Sequence, residues 1–458
     1  MTSETHDPKL DFSKLPAAEH SMAGARKLAP QTIPNPLAMS QTGGEQFSFL
    51  ISPGAIIPGR CRVNFKLTVT KGANQADQIW YHNQSLGIWK TISAQLESGF
   101  QLCQIDQLDR YLAAVLPAET KFNDFLHSQV PLNDSVADII SPFDGLRTAN
   151  YRPDANAALV DSKSYLSPRL VTIVPADTDL ELYYSIPLSE LMINTPMGSD
   201  RVLYCPKNLE LQFTLNGFTR LGFTSRSATN PTTNTAALVG ASLSEVSMTL
   251  YYEKNINVLN HIVAAVNNGH MDMLVPYVRV LYNSSQTSTS QNLALRINSS
   301  AGDLKMRRLY TQLYNTTASG QTAFDHSTAK PTAGGTAFTA RINTIVDEYL
   351  NFSKLQDMSL QISDTKWDDW NEVKNLLKGS AVTEVGQYRY SWFWPRVFDS
   401  EKTCEKSYTQ SAGIPLVPEE ANYSIQTECA NGTYQWLVHM ISERKLVINR
   451  DGMAYAFN

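Results

Sequence analysis

The chain has 458 residues, a formal net charge of -5, 42% hydrophobic and 18% charged residues. That length exceeds what one sandwich core organises and fits two large domains of roughly 200 residues each, while the acidic balance excludes a surface that binds nucleic acid by neutralising phosphates. The polar remainder is rich in Asn, Thr, Ser and Gln, which favours sheets with long polar loops over helices.

The first 45 residues carry Lys9, Lys14, Arg26 and Lys27 against Glu4, Asp7, Asp11, Glu19 and Glu45, so this expected N-terminal arm is nearly neutral and unsuited to condensing nucleic acid. Strict alternation follows: Cys61, Val63, Phe65, Leu67 and Val69 point one way, with Arg62, Asn64, Lys66 and Thr68 pointing the other. This predicts a half-buried strand. Trp80, Tyr81 and Trp89 near Asn83 form a first aromatic group, read as sheet-face packing rather than a ligand platform. Ile105, Leu108, Leu112 and Val115 have helical spacing, and Pro117 is expected to stop that helix.

A strand ending in Tyr183-Tyr184-Ser185 runs into Ile186-Pro187-Leu188-Ser189-Glu190-Leu191, read as a short helix, and re-emerges at Arg201-Val202-Leu203-Tyr204. Alternation returns at Leu209, Leu211, Phe213 and Leu215 and at Val246, Met248, Leu250 and Tyr252, the two strands flanking an expected long polar loop at about 216–242. Leu259, Ile262, Val263 and Val266 predict a helix at the expected boundary between the halves.

The second half opens on the Val-rich segment 275–282, followed by Leu293, Leu295 and Ile297 in alternation. A polar loop is expected at about 316–336. A third helix is expected to begin at Asp364, bury Trp367, Trp370, Val373 and Leu377, and stop at Gly379. The alternating aromatics Tyr388, Tyr390, Trp392 and Trp394, with Phe393, suit a sandwich core or an interface between chains. The chain ends in a predicted hairpin, Leu446 to Ile448 before an Asp451-Gly452 turn and Met453, Tyr455 and Phe457 after it.

No motif organises catalysis. Asp364, Asp368 and Asp369 interleave with Trp367 and Trp370 and could bind a cation or stack a sugar, but an N-cap with first-turn acids is the simpler reading. The eight histidines, His6, His20, His82, His127, His261, His270, His326 and His439, form no HxH or HxxxH pair, so no metal site is expected and surface or interface roles are assigned to them. Cys61, Cys103, Cys205, Cys404 and Cys429 have no CxxC spacing and are read as reduced thiols. No run approaches the ~18 apolar residues of a membrane-spanning helix, and the polar N-terminus leads to the expectation of a soluble chain made in the cytosol. No cofactor is expected.

The order of elements from Leu182 to Leu215, with the Ile186-Pro187-Leu188 segment opening a small helix between two strands, resembles the double jelly-roll major capsid proteins of polinton-like viruses, virophages and adintoviruses. The strand after Pro58-Gly59-Arg60, the helix around 106–116 and a second sandwich opening at Met273-Leu274-Val275-Pro276 extend the resemblance. It implies an all-β fold of two tandem eight-stranded jelly-roll sandwiches with a few short inserted helices. The expected organisation is an arm at 1–45, a first jelly roll at 46–254, a linker helix at 255–272 and a second jelly roll at 273–458.

The implied function is that of a non-enzymatic shell protein: a homotrimer forming a pseudo-hexagonal capsomer that tiles an icosahedral virion around a DNA genome. Neighbouring capsomers, penton and minor capsid proteins and an internal membrane are the partners the resemblance admits, with no specific nucleic-acid binding. The alternative of another class is a two-sandwich carbohydrate- or receptor-binding protein that stacks sugars on Trp367, Trp370 or the Trp80–Trp89 loop. A jelly-roll glycoside hydrolase is a weaker third, since no facing pair of carboxylates stands out.

Overall fold

The computed structural model describes residues 23–31, 33–71, 78–81, 86–119, 169–172, 179–221, 223–226, 235–236, 238–286, 290–297, 303–315, 344–352, 359–363, 396–399, 414–415, 421–428 and 434–456. Its first half contains β1 (Ala23–Leu28), β2 (Leu37–Met39), β3 (Gly43–Ile51), β4 (Gly54–Ile56), β5 (Arg62–Lys71), β6 (Gln78–Tyr81), β7 (Trp89–Leu96), β8 (Gln101–Asp106), α1 (Leu108–Glu119), β9 (Arg169–Thr172), β10 (Asp179–Pro187), α2 (Leu188–Leu191), β11 (Leu203–Cys205), β12 (Leu209–Asn216), β13 (Phe223–Arg226), β14 (Thr235–Ala236) and β15 (Leu238–Glu253). Helix α3 (Ile256–Asn267) follows. The second half contains β16 (Met271–Gln286), β17 (Ser290–Ile297), β18 (Asp303–Asn315), β19 (Thr344–Phe352), β20 (Ser359–Ser363), β21 (Arg396–Asp399), β22 (Ile414–Pro415), β23 (Ala421–Glu428), β24 (Tyr434–Ile448) and β25 (Met453–Tyr455).

Two antiparallel sheets organise each half, and their strand orders match. In the first half one sheet runs β1–β15–β5–β10 and the other β3–β12–β7–β8. In the second, the sheets run β16–β24–β18–β21 and β17–β23–β19–β20. Counting the eight main strands of each half in chain order, both read first-eighth-third-sixth in one sheet and second-seventh-fourth-fifth in the other. This is the double Greek key of a jelly roll.

The first sandwich is closed by its alternating strands. Cys61, Val63, Phe65, Leu67 and Val69 are all buried, while their neighbours on β5 are half-buried on the outer face. Trp89 joins the two sheets: its indole lies 5.4 Å edge-on from Phe65 of one sheet and 5.4 Å from Phe213 of the other. Phe47 stacks on Phe213 at 5.0 Å and Phe65 on Tyr184 at 5.1 Å. Each such ring removes 150–250 Å² from water, so this cluster dominates the interior.

Several local expectations change. Residues 23–28 and 37–39, placed in the arm by sequence, pair with β15, because Leu28, Leu37 and Met39 are apolar enough to be buried there. Ile105 belongs to β8 rather than to the helix, and α1 continues past Pro117 to Glu119. The expected loop at 216–242 holds β13, β14 and the start of β15; β13 and β14 join β6 and β9 in a small separate sheet whose polar composition hid them. The strand expected at 201–204 is Leu203–Cys205. Helix α3 buries Val258, Ile262 and Val266 at helical spacing, and the Asn255 side chain caps it by accepting from Asn257 N at 3.0 Å. The loop at 316–336 and the helix at Asp364–Gly379 lie outside the described residues.

Candidate functional site: the seam between the two sandwiches

The apolar interior of the first sandwich does not end at β15. It continues through Met271, Tyr310, Ile441, Leu446, Ile448 and Tyr455 of the second half. Strand β24 is accordingly buried at every residue from Trp436 to Arg444, where a half-exposed strand would alternate. Two groups of side chains close this seam.

The first is built on the C-terminal hairpin. The Asn449 side chain accepts from Asp451 N at 3.0 Å and Gly452 N at 2.8 Å, which turns β24 back into β25 and sets Leu446 opposite Tyr455. Tyr455 then reaches across the seam: its hydroxyl donates to the Leu102 carbonyl of β8 and its ring lies 5.4 Å from Phe100. The Arg444 guanidinium stands 3.5 Å over the Tyr277 ring and 5.2 Å over that of Tyr455. Behind it, Asp303 is fully buried. Its carboxylate accepts from Arg444 Nε at 2.6 Å and Ser442 Oγ at 2.7 Å and pairs with Arg279 at 3.1 Å.

Burial pushes the Tyr455 phenol well above its ordinary range and raises that of Tyr277 against the opposing pull of Arg444. Burial likewise lowers Arg279, partly offset by Asp303. Desolvating these charges offsets much of their mutual attraction, so the group fixes local geometry rather than adding much net stability.

The second group is on α1. The Tyr111 hydroxyl donates to the Ile193 carbonyl at 3.1 Å, and its ring packs against that of His439 at 5.1 Å and 54°. His439 is wholly buried where β24 meets Tyr111 of α1, so of the surface or interface roles assigned to the histidines the surface one does not hold for it. Its apolar flanks Trp436-Leu437-Val438 and Met440-Ile441 were the available signal. His261 and His270 are exposed, the latter 3.4 Å from Asp272.

The other sequence candidates disperse. Trp89 is buried in the first core and can stack no ligand; Trp80 and Tyr81 lie in β6, paired with β9 and β13. Asp364, Trp367, Asp368, Asp369, Trp370 and the aromatics at 388–394 lie outside the described residues, as do Cys404, Cys429 and the histidines at 6, 20, 82, 127 and 326. Cys61, Cys103 and Cys205 are buried free thiols, which burial pushes up to about 11, about 12 and about 12 respectively. They are not nucleophiles at neutral pH. Among the described residues, no three His, Cys, Asp or Glu side chains are grouped to hold a metal ion.

No family model matches the sequence, and no curated protein matches it. Solved structures do. The major capsid protein of mavirus is similar at TM-score 0.51 and 10% identity, covering 94% of this chain and 90% of that one. The Faustovirus major capsid protein is similar at TM-score 0.52 and 9% identity, covering 93% and 90%. The Sputnik virophage structure gives TM-score 0.50 and 12% identity, covering 95% and 88%. With two sandwiches of one strand order joined along a buried seam, the chain has the double jelly-roll fold of these capsid proteins.

Proposed function

We propose that this chain is a major capsid protein: a homotrimer that forms a pseudo-hexagonal capsomer and tiles an icosahedral shell around a DNA genome. The observation that carries the reading is the repeated strand order within one chain. Two sandwiches of one topology in one chain let three chains present six similar edges, so one gene product can pack with near-six-fold neighbours on a flat facet. The similarity in fold to viral capsid proteins over nearly the whole of both chains supports it.

The domains of this reading are the sandwich of strands β1 to β15, which begins at Ala23 inside the arm expected at 1–45, helix α3 as linker, and the sandwich of β16 to β25, against expected limits of 46–254, 255–272 and 273–458. Its role is structural rather than catalytic and its place is the virion. Neighbouring capsomers and penton and minor capsid proteins are its partners in this reading, which also admits an internal membrane. A nearly neutral N-terminus suits bracing of neighbours and not condensation of nucleic acid.

The test is mass in solution. Three chains of 51.0 kDa give 153 kDa, which light scattering after size exclusion should report. A stable monomer that binds glycans would favour the carbohydrate-binding alternative instead.

A further inference from the structure

We propose that the seam between the two sandwiches is an acid-sensitive hinge, held closed by neutral His439 and opened by its protonation. The ring is fully buried between β24 and α1, and neither ring nitrogen makes a hydrogen bond with any described residue. Tyr111 covers it from the first half, and Tyr310 and Val280 stand opposite it in the flanking strands. A second positive charge here would face the buried Arg110 with no acceptor in place.

Several other charged or titratable groups stand around the ring. Arg110 is the charge that acts on it; Tyr111 and Tyr310 are the adjoining phenols. Arg279 on β16 and Arg308 on β18 pair with its strand neighbours Met440 and Ile441, Asp109 lies on α1 two residues from Tyr111, and Glu443 lies four residues along its own strand. Burial first, and Arg110 second, lower the His439 pKa from 6.5 to about 3. A histidine depressed in the closed state favours that state fully above its ordinary value, and the advantage is lost as pH falls from 6.5 toward 3. Opening carries the ring to water, where it takes up one proton. Protonation thus acts on the contact that joins the halves, while the core of each sandwich is left alone.

The experiment uses the full-length protein and a thiol reagent active in acid, 4,4′-dithiodipyridine. Cys103 lies in the seam on β8 beside Tyr455, and its labelling, read by peptide mass spectrometry and normalised to the unfolded chain, reports opening. Between pH 7.5 and 5.0 the normalised labelling should rise about 30-fold, the uptake of one proton. In His439→Phe and His439→Gln it should stay nearly flat over that range. Wild-type labelling that does not change, or a rise that persists undiminished in either folded variant, overturns the proposal. Because the readout is internal to the chain, its failure would leave the assembly reading untouched.

Discussion

Trp89, read from the sequence as sheet packing and only in the rival reading as a sugar platform, is the side chain on which both sheets of the first sandwich close. Replacing it with Ala should cost about 3–5 kcal/mol, read as a lowered urea midpoint; an unchanged midpoint would contradict its place in the core. Asp303 is the corresponding residue of the seam. Asp303→Ala leaves buried Arg444 and half-buried Arg279 without their carboxylate, which should cost about 3–5 kcal/mol in the same measurement. The three buried thiols give a different readout. At pH 8 in the native protein, Cys61, Cys103 and Cys205 should remain unmodified by iodoacetamide while denatured protein is labelled at all three, because burial keeps each protonated.

At the scale of elements, the turn before β3 depends on backbone conformation that side chains oppose. Gly43 has φ +73°, and a Cβ there would lie 2.4 Å from the Asn216 carbonyl carbon, at the bulge where β12 meets β3. Gly43→Ala should destabilise by about 1–3 kcal/mol in thermal or urea unfolding, whereas Ala at the open Gly44 position meets no atom within 4 Å and strains only its φ of +118°. Elements of this kind differ in how much of them the sequence discloses. Strands β5 and β12 were legible because one face is buried and the other is not, so period two is written into their residues. Strand β24 was legible only at its end: from Trp436 to Arg444 it is covered on both faces, which erases alternation and leaves a polar Ser442-Glu443-Arg444 run that reads as surface. The seam residues His439, Asp303 and Arg444 were hidden for the same reason, since their partners come from strands distant in the chain. Short β13 and β14 were missed because two to four residues of mixed polarity carry no measurable period.

For the whole molecule, the repeated order of strands converts a resemblance in element sequence into a geometric statement. The halves share a topology although their residues do not repeat, and a buried seam joins them. Tyr455 should matter to that seam more than to either core: Tyr455→Phe keeps the ring on Phe100 and Tyr277 and loses only the hydrogen bond to Leu102 across the seam. Its cost should be about 1 kcal/mol, detected as a lowered thermal midpoint. The central claim is that three such chains make a capsomer of six similar lobes. Negative-stain class averages of the purified oligomer test it most directly: the account predicts three-fold particles with six lobes at nearly equal radius, and elongated particles or single two-lobed chains would contradict it.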